Sequence, residues 1–302
     1  MKLATTTNDF DRFCEDYLDR VRHVYEAGFR YVDLSLYTIK ENDPLLVDKE
    51  WKAYADRMLD YAKECGIQFV QAHGPSTNPL KSEDDFERAV TVTIRAIEVC
   101  GALGIPNMVI HSGWDKNAGK EECFRRNAAF FRRLIPTLEA CNVNVLHENT
   151  TSINIPSFYP KTGAEMREFS EYVNHPKVHS CWDIGHAKLE RPQYEDIMAM
   201  GDDLYALHIH DNRDRDEHVI PFMGTINMDE VMHALIDVGY KGFFTMEAGS
   251  VLRPAKYWLG NRQEFDRDTR LLNPPLELQK EMERFMYKTG EYILKSYGVF
   301  ED

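Results

Sequence analysis

The chain has few cysteines, and they show none of the spacings that cysteine chemistry requires. Six cysteines are scattered over 302 residues, and no two of them form a CxxC pair. A chain of this length buries enough apolar surface to fold without disulfides, so the pattern predicts reduced thiols and a cytoplasmic protein. Long apolar runs are also missing. None approaches the roughly 18 residues that a membrane span requires, so no membrane is expected.

Basic residues are scarce relative to acidic ones. The chain contains 36 Lys and Arg against 50 Asp and Glu, which gives a formal net charge of -14. Proteins that bind duplex nucleic acid usually present a basic surface, because contacts to phosphates supply most of the affinity. The acidic balance therefore argues against nucleic acid and against an anionic membrane surface as partners.

Eight short apolar runs recur along the chain, with amphipathic helical patterns between them. The runs are KLATTT (2–7), FRYVDLSL (29–36), IQFVQAHG (67–74), NMVIHSG (107–113), VNVLHENT (143–150), VHSCWDIGH (178–186), LYALHIHD (204–211) and FFTMEAG (243–249). Alternating strands and helices indicate parallel βαβ units. Eight such units predict an α/β fold, a (β/α)₈ TIM barrel formed by a single domain over residues 1–302. An open doubly wound sheet fits less well, because no glycine-rich phosphate-binding turn follows the first run.

Two segments are longer than the repeat requires, at 151–169 after the fifth run and at 250–279 after the eighth. Both follow the carboxyl ends of predicted strands, so they are expected to lie over the active-site face. The second segment contains Arg253 and Lys256, which could contact a substrate phosphate. It also contains Tyr257 and Trp258, which could stack on a sugar.

Most of the predicted strands end on a residue that can bind a metal or transfer a proton, and the charged stretch HIHDNRDRDEH (208–218) adds two more. These residues are His73, His111, Glu148, Asp183, His186, His208, Glu247, Asp216 and His218. A barrel brings its strand ends onto one ring, where so many charges would be costly without a counter-charge. We therefore predict a divalent cation. Mixed carboxylate and imidazole ligands suit Zn²⁺, Mn²⁺, Fe²⁺ or Co²⁺, and Mg²⁺ stays open.

Two further histidines lie next to these residues. Alternation along a strand predicts that His147 points away from Glu148, and that His210 lies on the same side as His208. We expect His210 to support a ligand and not to be one.

Six stretches between residues 71 and 249 carry a family resemblance. They are QAHGP, VIHSGW, HENT, CWDIGHA, HIHDN followed by DEH, and MEAG. Together they resemble the xylose isomerase-like TIM-barrel superfamily, which contains sugar and sugar-phosphate isomerases and epimerases as well as the endonuclease IV class of nucleases. The resemblance implies one catalytic cation on Glu148, Asp183, His208 and Glu247.

The endonuclease IV branch of the superfamily binds two further metals. The resemblance implies that they would lie at His73 and His111, which share Glu148, and at His186 with Asp216 and His218. A residue that can bind a metal stands at each of the nine ligand positions, so one to three cations are expected. The ligand residues alone do not distinguish the isomerase branch from the nuclease branch. The nuclease branch has bulky side chains soon after its first histidine. Here that stretch reads HGPSTN (73–78), which favours a small polyol substrate.

The expected function is a metal-dependent sugar or sugar-phosphate isomerase or epimerase that acts through an enediolate. Glu148 and Glu247 would transfer the proton. The alternatives are an endonuclease IV-like phosphodiesterase, a polyol dehydratase and a non-catalytic sugar-binding relative. The expected partner is a small sugar or sugar phosphate. Whether the chain forms a homo-oligomer is left undecided by the sequence. The candidate substrate contacts are His186, Trp114, Trp182, Arg213 and Arg215.

Overall fold

A computed structural model describes residues 1–151, 158–187, 193–252 and 273–302. Within these ranges the chain forms eight strands, numbered in chain order. They are Lys2–Thr6 (β1), Tyr31–Ser35 (β2), Gln68–His73 (β3), Asn107–His111 (β4), Asn144–Glu148 (β5), Val178–Asp183 (β6), Leu204–His208 (β7) and Phe243–Met246 (β8). Each lies inside one of the eight predicted runs, so the strand prediction is confirmed.

The strands form one parallel sheet in the order β7-β6-β5-β4-β3-β2-β1-β8. The two ends of the sheet meet just beyond β7. The Ile209 N–H donates to the Thr245 carbonyl at 2.8 Å, and the Glu247 N–H donates to the Ile209 carbonyl at 2.9 Å. The sheet therefore curves into a nearly closed barrel, as the sequence predicts.

Helices follow the strands and pack around the barrel. They are Tyr17–Ala27 (α1), Trp51–Cys65 (α2), Glu83–Leu103 (α3), Lys120–Cys141 (α4), Gly163–Val173 (α5), Ile184–Ala187 (α6), Tyr194–Met200 (α7), Met228–Asp237 (α8) and Leu276–Ser296 (α9). Local signals set their ends. For example, the Ser82 side chain caps α3 by accepting from the Asp85 N–H, and Gly104 ends that helix in a left-handed conformation with φ of 69°.

The register of the strands puts the predicted site residues at one level. His111 pairs with Glu148 across β4 and β5, and Asp183 pairs with His208 across β6 and β7. Below this level the barrel interior is filled by a small apolar cluster. It consists of Val109, Leu146, Cys181 and Ala206. Each of these precedes a site residue by two positions, so both sets point inward from the same face of the sheet.

Three details differ from the sequence prediction or lie beyond what the structure describes. The run 178–186 is not one strand, because β6 ends at Asp183 and residues 184–187 form the short helix α6. The predicted long segments 151–169 and 250–279 include the starts of α5 and α9. Arg253, Lys256, Tyr257 and Trp258 lie outside the described residues.

None of the helices in the described ranges combines the length and the apolar content that crossing a lipid bilayer requires.

Candidate active site

A cavity of about 390 Å³ opens at the carboxyl ends of the strands. Most of the predicted site residues line it. They are His73, His111, Trp114, Glu148, His186, Asp216, His218 and Glu247. Asp183 and His208 are fully buried. They belong to the same site, because each offers a ligand atom close to those of Glu148 and Glu247.

The structure brings together the four residues of the first cluster, which we define as Glu148, Asp183, His208 and Glu247. Their potential ligand atoms all lie within 4.8 Å of one another. The Nδ1 atom of His208 is 2.8 Å from Glu148 Oε1 and 3.4 Å from Glu247 Oε2. Three carboxylates and one imidazole therefore surround a common point.

The donor set of the first cluster fits a divalent cation. The Oε2 atom of Glu148 is buried without a hydrogen-bond partner among the described residues, which is costly for a carboxylate unless it has a counter-charge. Burial works against the charge of Glu148, but the imidazoles of His111 and His208 outweigh it and hold the pKa of this carboxyl well below its usual range. Burial similarly opposes protonation of His208, yet Glu247 and other anionic neighbours raise its pKa well above the ordinary value. The cluster thus favours positive charge at its centre.

Two buried residues that the sequence reasoning missed hold His208 from its other side. Asp33 Oδ2 lies 3.3 Å from His208 Nε2 and accepts from Gln71 Nε2 at 2.6 Å. A carboxylate at Nε2 orients the ring so that Nδ1 faces the first cluster. Gln71 precedes His73 by two positions and therefore shares its face of β3. That spacing was the signal that could have identified it.

A second cluster consists of His73, His111 and Glu148. The Nε2 atoms of the two histidines lie 3.5 Å and 3.4 Å from Glu148 Oε2. Burial lowers the pKa of His111 to about 4. The ring is thereby kept neutral, which is the form that binds metals. Glu148 belongs to both the first and the second cluster, a sharing that the family resemblance also implies.

A third cluster consists of His186, His210, Asp216 and His218. Asp216 Oδ1 lies 3.0 Å from His218 Nε2 and 3.6 Å from His186 Nε2. Burial opposes protonation of His218, but Asp216 raises its pKa to about 10. His210 follows the last residue of β7 by two positions and lies on the predicted side. Its Nε2 atom is 3.0 Å from Asp183 Oδ1, and its ring stacks on that of His218 with centroids 3.9 Å apart.

Three of the candidate substrate contacts do not reach the cavity. Trp182 is fully buried in the core, where its indole N–H donates to Gln193 Oε1 at 3.2 Å. Because it precedes Asp183 by one position, it lies on the opposite face of β6. Arg213 is exposed and pairs with Glu217, and Arg215 is exposed as well. Neither arginine is among the described residues that line the cavity.

Other wall residues had not been predicted. Tyr37 and Phe158 line the cavity with Trp114 and form an aromatic rim. The Tyr37 ring meets His73 edge-on with centroids 5.0 Å apart, and Phe158 lies 6.3 Å from His111.

An acidic pair lies beside the cavity. Asp9 lines the wall, and Thr5 Oγ1 contacts both Asp9 Oδ2 at 3.3 Å and Glu283 Oε1 at 3.1 Å. Burial and the negative charge of Glu247 raise the pKa of Asp9 to about 8. Burial and the proximity of Asp9 also raise the pKa of Glu283 well above its usual value. Two neighbouring buried carboxyls therefore hold a proton near neutral pH.

Comparisons with known proteins identify the family and the fold to which the chain is similar. At the sequence level, the chain is 30% identical over 263 residues to the uncharacterised protein y4fM of Sinorhizobium fredii, covering 74% of this chain and 80% of that protein. It is 25% identical over 264 residues to a D-psicose 3-epimerase of Enterocloster bolteae, covering 80% and 82% of the two chains.

Solved structures show the same fold. The D-psicose 3-epimerase from Clostridium cellulolyticum H10, solved with D-tagatose, has a TM-score of 0.76 at 20% identity and covers 97% of this chain and 99% of that one. The IolI protein with a bound zinc atom has a TM-score of 0.75 at 18% identity, with 98% and 99% covered. A family profile described as xylose isomerase-like TIM barrel matches residues 21–273. The chain therefore belongs to the xylose isomerase-like TIM-barrel family.

Proposed function

We propose that this protein is a divalent-cation-dependent sugar epimerase or isomerase whose proton-transferring groups are Glu148 and Glu247. The observation that carries the proposal is the convergence of the two carboxylates: both line the cavity, and both approach the same nitrogen of His208. Two carboxylates that face one enclosed volume are the groups needed to remove a proton from a carbon and to return one.

The chemistry follows from this arrangement. A cation held by Glu148, Asp183, His208 and Glu247 would draw charge from the carbonyl and hydroxyl oxygens of the sugar and make the neighbouring C–H more acidic. One glutamate removes the proton of that C–H, which leaves an enediolate. The other glutamate, which enters the reaction protonated, donates its proton to the opposite face, which inverts the carbon and gives the epimer. Return of the proton to the adjacent carbon would instead interconvert an aldose and a ketose.

The cavity wall favours a sugar without a phosphate group. Arg12 is the one lysine or arginine among the described residues of the wall, which also includes the acidic side chains Asp9 and Asp216. Hydroxyl-bearing and aromatic side chains make up much of the rest of the wall, which suits an uncharged polyol. Two proteins to which the chain is similar are D-psicose 3-epimerases, which supports a ketose as substrate.

The first cluster is the proposed site of the catalytic cation. Its carboxylate and imidazole donors suit Mn²⁺, Co²⁺ or Zn²⁺, and they are compatible with Mg²⁺. The zinc atom in the IolI structure supports a metal in this fold. The second and third clusters are proposed as sites for up to two further cations, because each gathers at least three potential ligands within 4.8 Å.

One observation favours a second candidate. All nine ligand positions of the endonuclease IV pattern come together in the three clusters, so a phosphodiesterase has the ligands it needs. The acidic wall and the net charge of -14 oppose a phosphate-rich substrate. Nicking of a duplex with an abasic site by the metal-loaded protein would support this candidate, and intact duplex would remove it.

The test of the proposed function is product analysis. Metal-free protein is loaded separately with Mn²⁺, Co²⁺, Zn²⁺ or Mg²⁺ and incubated with a panel of ketohexoses and ketopentoses and with their phosphates. We expect an epimer or an aldose of unchanged mass from at least one unphosphorylated ketose. A product lighter by one water would identify a polyol dehydratase instead. If no sugar is converted under any loading, the proposal fails.

A further inference from the structure

The loop that carries Asp216 and His218 has an unusual internal anchor. This loop, residues 212–226, connects β7 with α8 and is here called the 212–226 loop. Asp211, the residue that precedes the loop, forms an antiparallel bridge with Val219 inside it. The Asp211 N–H donates to the Val219 carbonyl at 2.7 Å, and the Val219 N–H donates to the Asp211 carbonyl at 3.0 Å. The bridge leaves residues 212–218 as a short excursion over the cavity.

The anchor is the carboxylate of Asp211, which is 1% exposed. It accepts four hydrogen bonds from main-chain N–H groups of the loop. Asn212 and Ile226 donate to Oδ1 at 2.8 and 3.0 Å, and Phe222 and Gly224 donate to Oδ2 at 3.1 and 3.0 Å. A carboxylate that accepts several N–H bonds fixes the path of the main chain. Gly224 is required for this approach, because a Cβ there would lie 2.2 Å from Asp211 Oδ1.

The loop needs an anchor because it holds residues in unfavourable conformations. His218 has φ of 49° and Phe222 has φ of 76°, in the left-handed region that bulky side chains rarely adopt. The side chain of Phe222 is 63% exposed, so core packing does not hold it in this conformation. The hydrogen bond from its N–H to Asp211 does.

The conformation of His218 orients its ring for the third cluster. Nδ1 of His218 donates to the main-chain carbonyl of Glu247 at 2.9 Å, which turns Nε2 toward Asp216 at 3.0 Å. The first cluster depends less on the loop, which contacts it through the hydrogen bond from His218 to the main-chain carbonyl of Glu247. Its four residues lie at the ends of strands that the barrel ladders support, and none lies between residues 212 and 226.

We propose that Asp211 is a positioning residue that sets the cation affinity of the third cluster and leaves that of the first cluster unchanged. The proposal rests on the proposed function in one respect, since both clusters must bind cations. Asp211 itself belongs to none of the three clusters and is not among the described residues that line the cavity.

The test is to titrate the metal-free protein with Co²⁺ and to measure binding by calorimetry and by visible absorption. In Asp211→Asn, one oxygen becomes an NH₂ group, so two of the four N–H donors lose their acceptor. We expect the cation site at the third cluster to weaken by about tenfold or more, as for other groups that orient ligands. Binding at the first cluster should change by less than about twofold. His218→Gln identifies the third-cluster signal, because it removes a ligand of that cluster alone.

Two variants separate positioning from general damage to the fold. Asp43 is a matched control, because it is fully buried, its carboxylate accepts from the main-chain N–H groups of Leu45 and Leu46, and it belongs to none of the three clusters. Asp43→Asn should leave both affinities unchanged. Phe222→Gly removes the side chain that disfavours the left-handed conformation. The double variant of Asp211→Asn with Phe222→Gly should therefore recover part of the lost affinity, and it is the variant to use if Asp211→Asn alone folds poorly.

Equal Co²⁺ titrations of wild type and Asp211→Asn would overturn the proposal. Weaker Co²⁺ binding at both clusters in Asp211→Asn would also overturn it. So would a His218→Gln variant that binds as many cations as the wild type. Absence of Co²⁺ binding at the first cluster would instead contradict the proposed function.

Discussion

Glu148 and His208 lie 60 positions apart in the chain, yet Glu148 Oε1 is 2.8 Å from His208 Nδ1. The two residues end β5 and β7, and β6 lies between them in the sheet. Side chains from alternate strands of a barrel reach into the same layer, so the two meet over the barrel axis. The cation site that we propose at this point is formed by the barrel fold, because its ligands come from separate strands and not from one local segment of the chain.

Replacement of Glu148 by glutamine tests the proton-transfer role. The amide keeps the shape of the side chain but cannot accept the substrate proton. We expect kcat to fall by about 10²–10⁴-fold when the cation is saturating, the range that general acid–base groups contribute. Glu168→Gln is the control, since Glu168 is exposed and forms an ion pair with Lys120. Turnover of Glu148→Gln near the wild-type rate would show that another group moves the proton.

Asp33→Asn tests the support of His208. The substitution removes the charge that orients the imidazole through Nε2. Cation affinity should fall by about 10–100-fold, while kcat at saturating cation changes little. Equilibrium dialysis against a competing chelator measures the affinity. An unchanged affinity would mean that Asp33 serves only packing.

Chelation of the cation should lower the stability of the fold. A ligand that binds only the folded state stabilises it, by about 2.7 kcal/mol when its free concentration is 100 times its Kd. We therefore expect thermal unfolding of the wild type to shift to higher temperature with added Mn²⁺ or Zn²⁺. Asp183→Asn, which replaces an anionic first-cluster ligand with a neutral amide, should lose most of that shift. A shift of the same size in the variant would place the stabilising cation elsewhere.

The strand-end residues could be predicted from the sequence, because most of the apolar runs are followed by a polar residue and a barrel brings the ends of its strands together. Alternation also placed His147 and His210 correctly: His147 is buried beside Phe169, and His210 contacts Asp183. The same rule applied to Trp182 would have placed it in the core. Arg213 and Arg215 were beyond prediction, since the direction of a loop depends on its tertiary hydrogen bonds.

Contacts that join distant elements were the least accessible from the sequence. Asp9 and Glu283 come from opposite ends of the chain, and they meet only because α9 packs on β1 and β8. Nothing in the local sequence around Glu283 distinguishes it from the exposed acids of the same helix.

Glu283→Gln should alter the pH dependence of stability. Unfolded carboxyls titrate near pH 4, whereas in the folded protein the pKa of Asp9 is raised to about 8 and that of Glu283 is also raised. The folded state therefore retains protons that the unfolded chain releases, and wild-type stability from this pair declines as the pH rises from about 4 to about 8. The variant removes one of the two carboxyls.

Thermal unfolding at several pH values measures this effect. The Tm of Glu283→Gln minus that of the wild type should increase between pH 5 and pH 8. Glu281→Gln is the control, because Glu281 is exposed on the same helix and pairs with Arg284. A difference in Tm that stays constant with pH would mean that the pair holds no extra proton.

Solvent hydrogen exchange measures the proposed chemistry most directly. The cation-loaded protein is incubated with its ketose in D₂O, and deuterium at the carbon beside the carbonyl is followed by NMR. The proposed roles of Glu148 and Glu247 predict that deuterium enters this position in the wild type, and that chelation or Glu247→Gln abolishes the exchange. If the wild type forms product while this carbon keeps its original hydrogen, or if the metal-free protein exchanges it equally fast, cation-assisted proton transfer between the two glutamates is wrong.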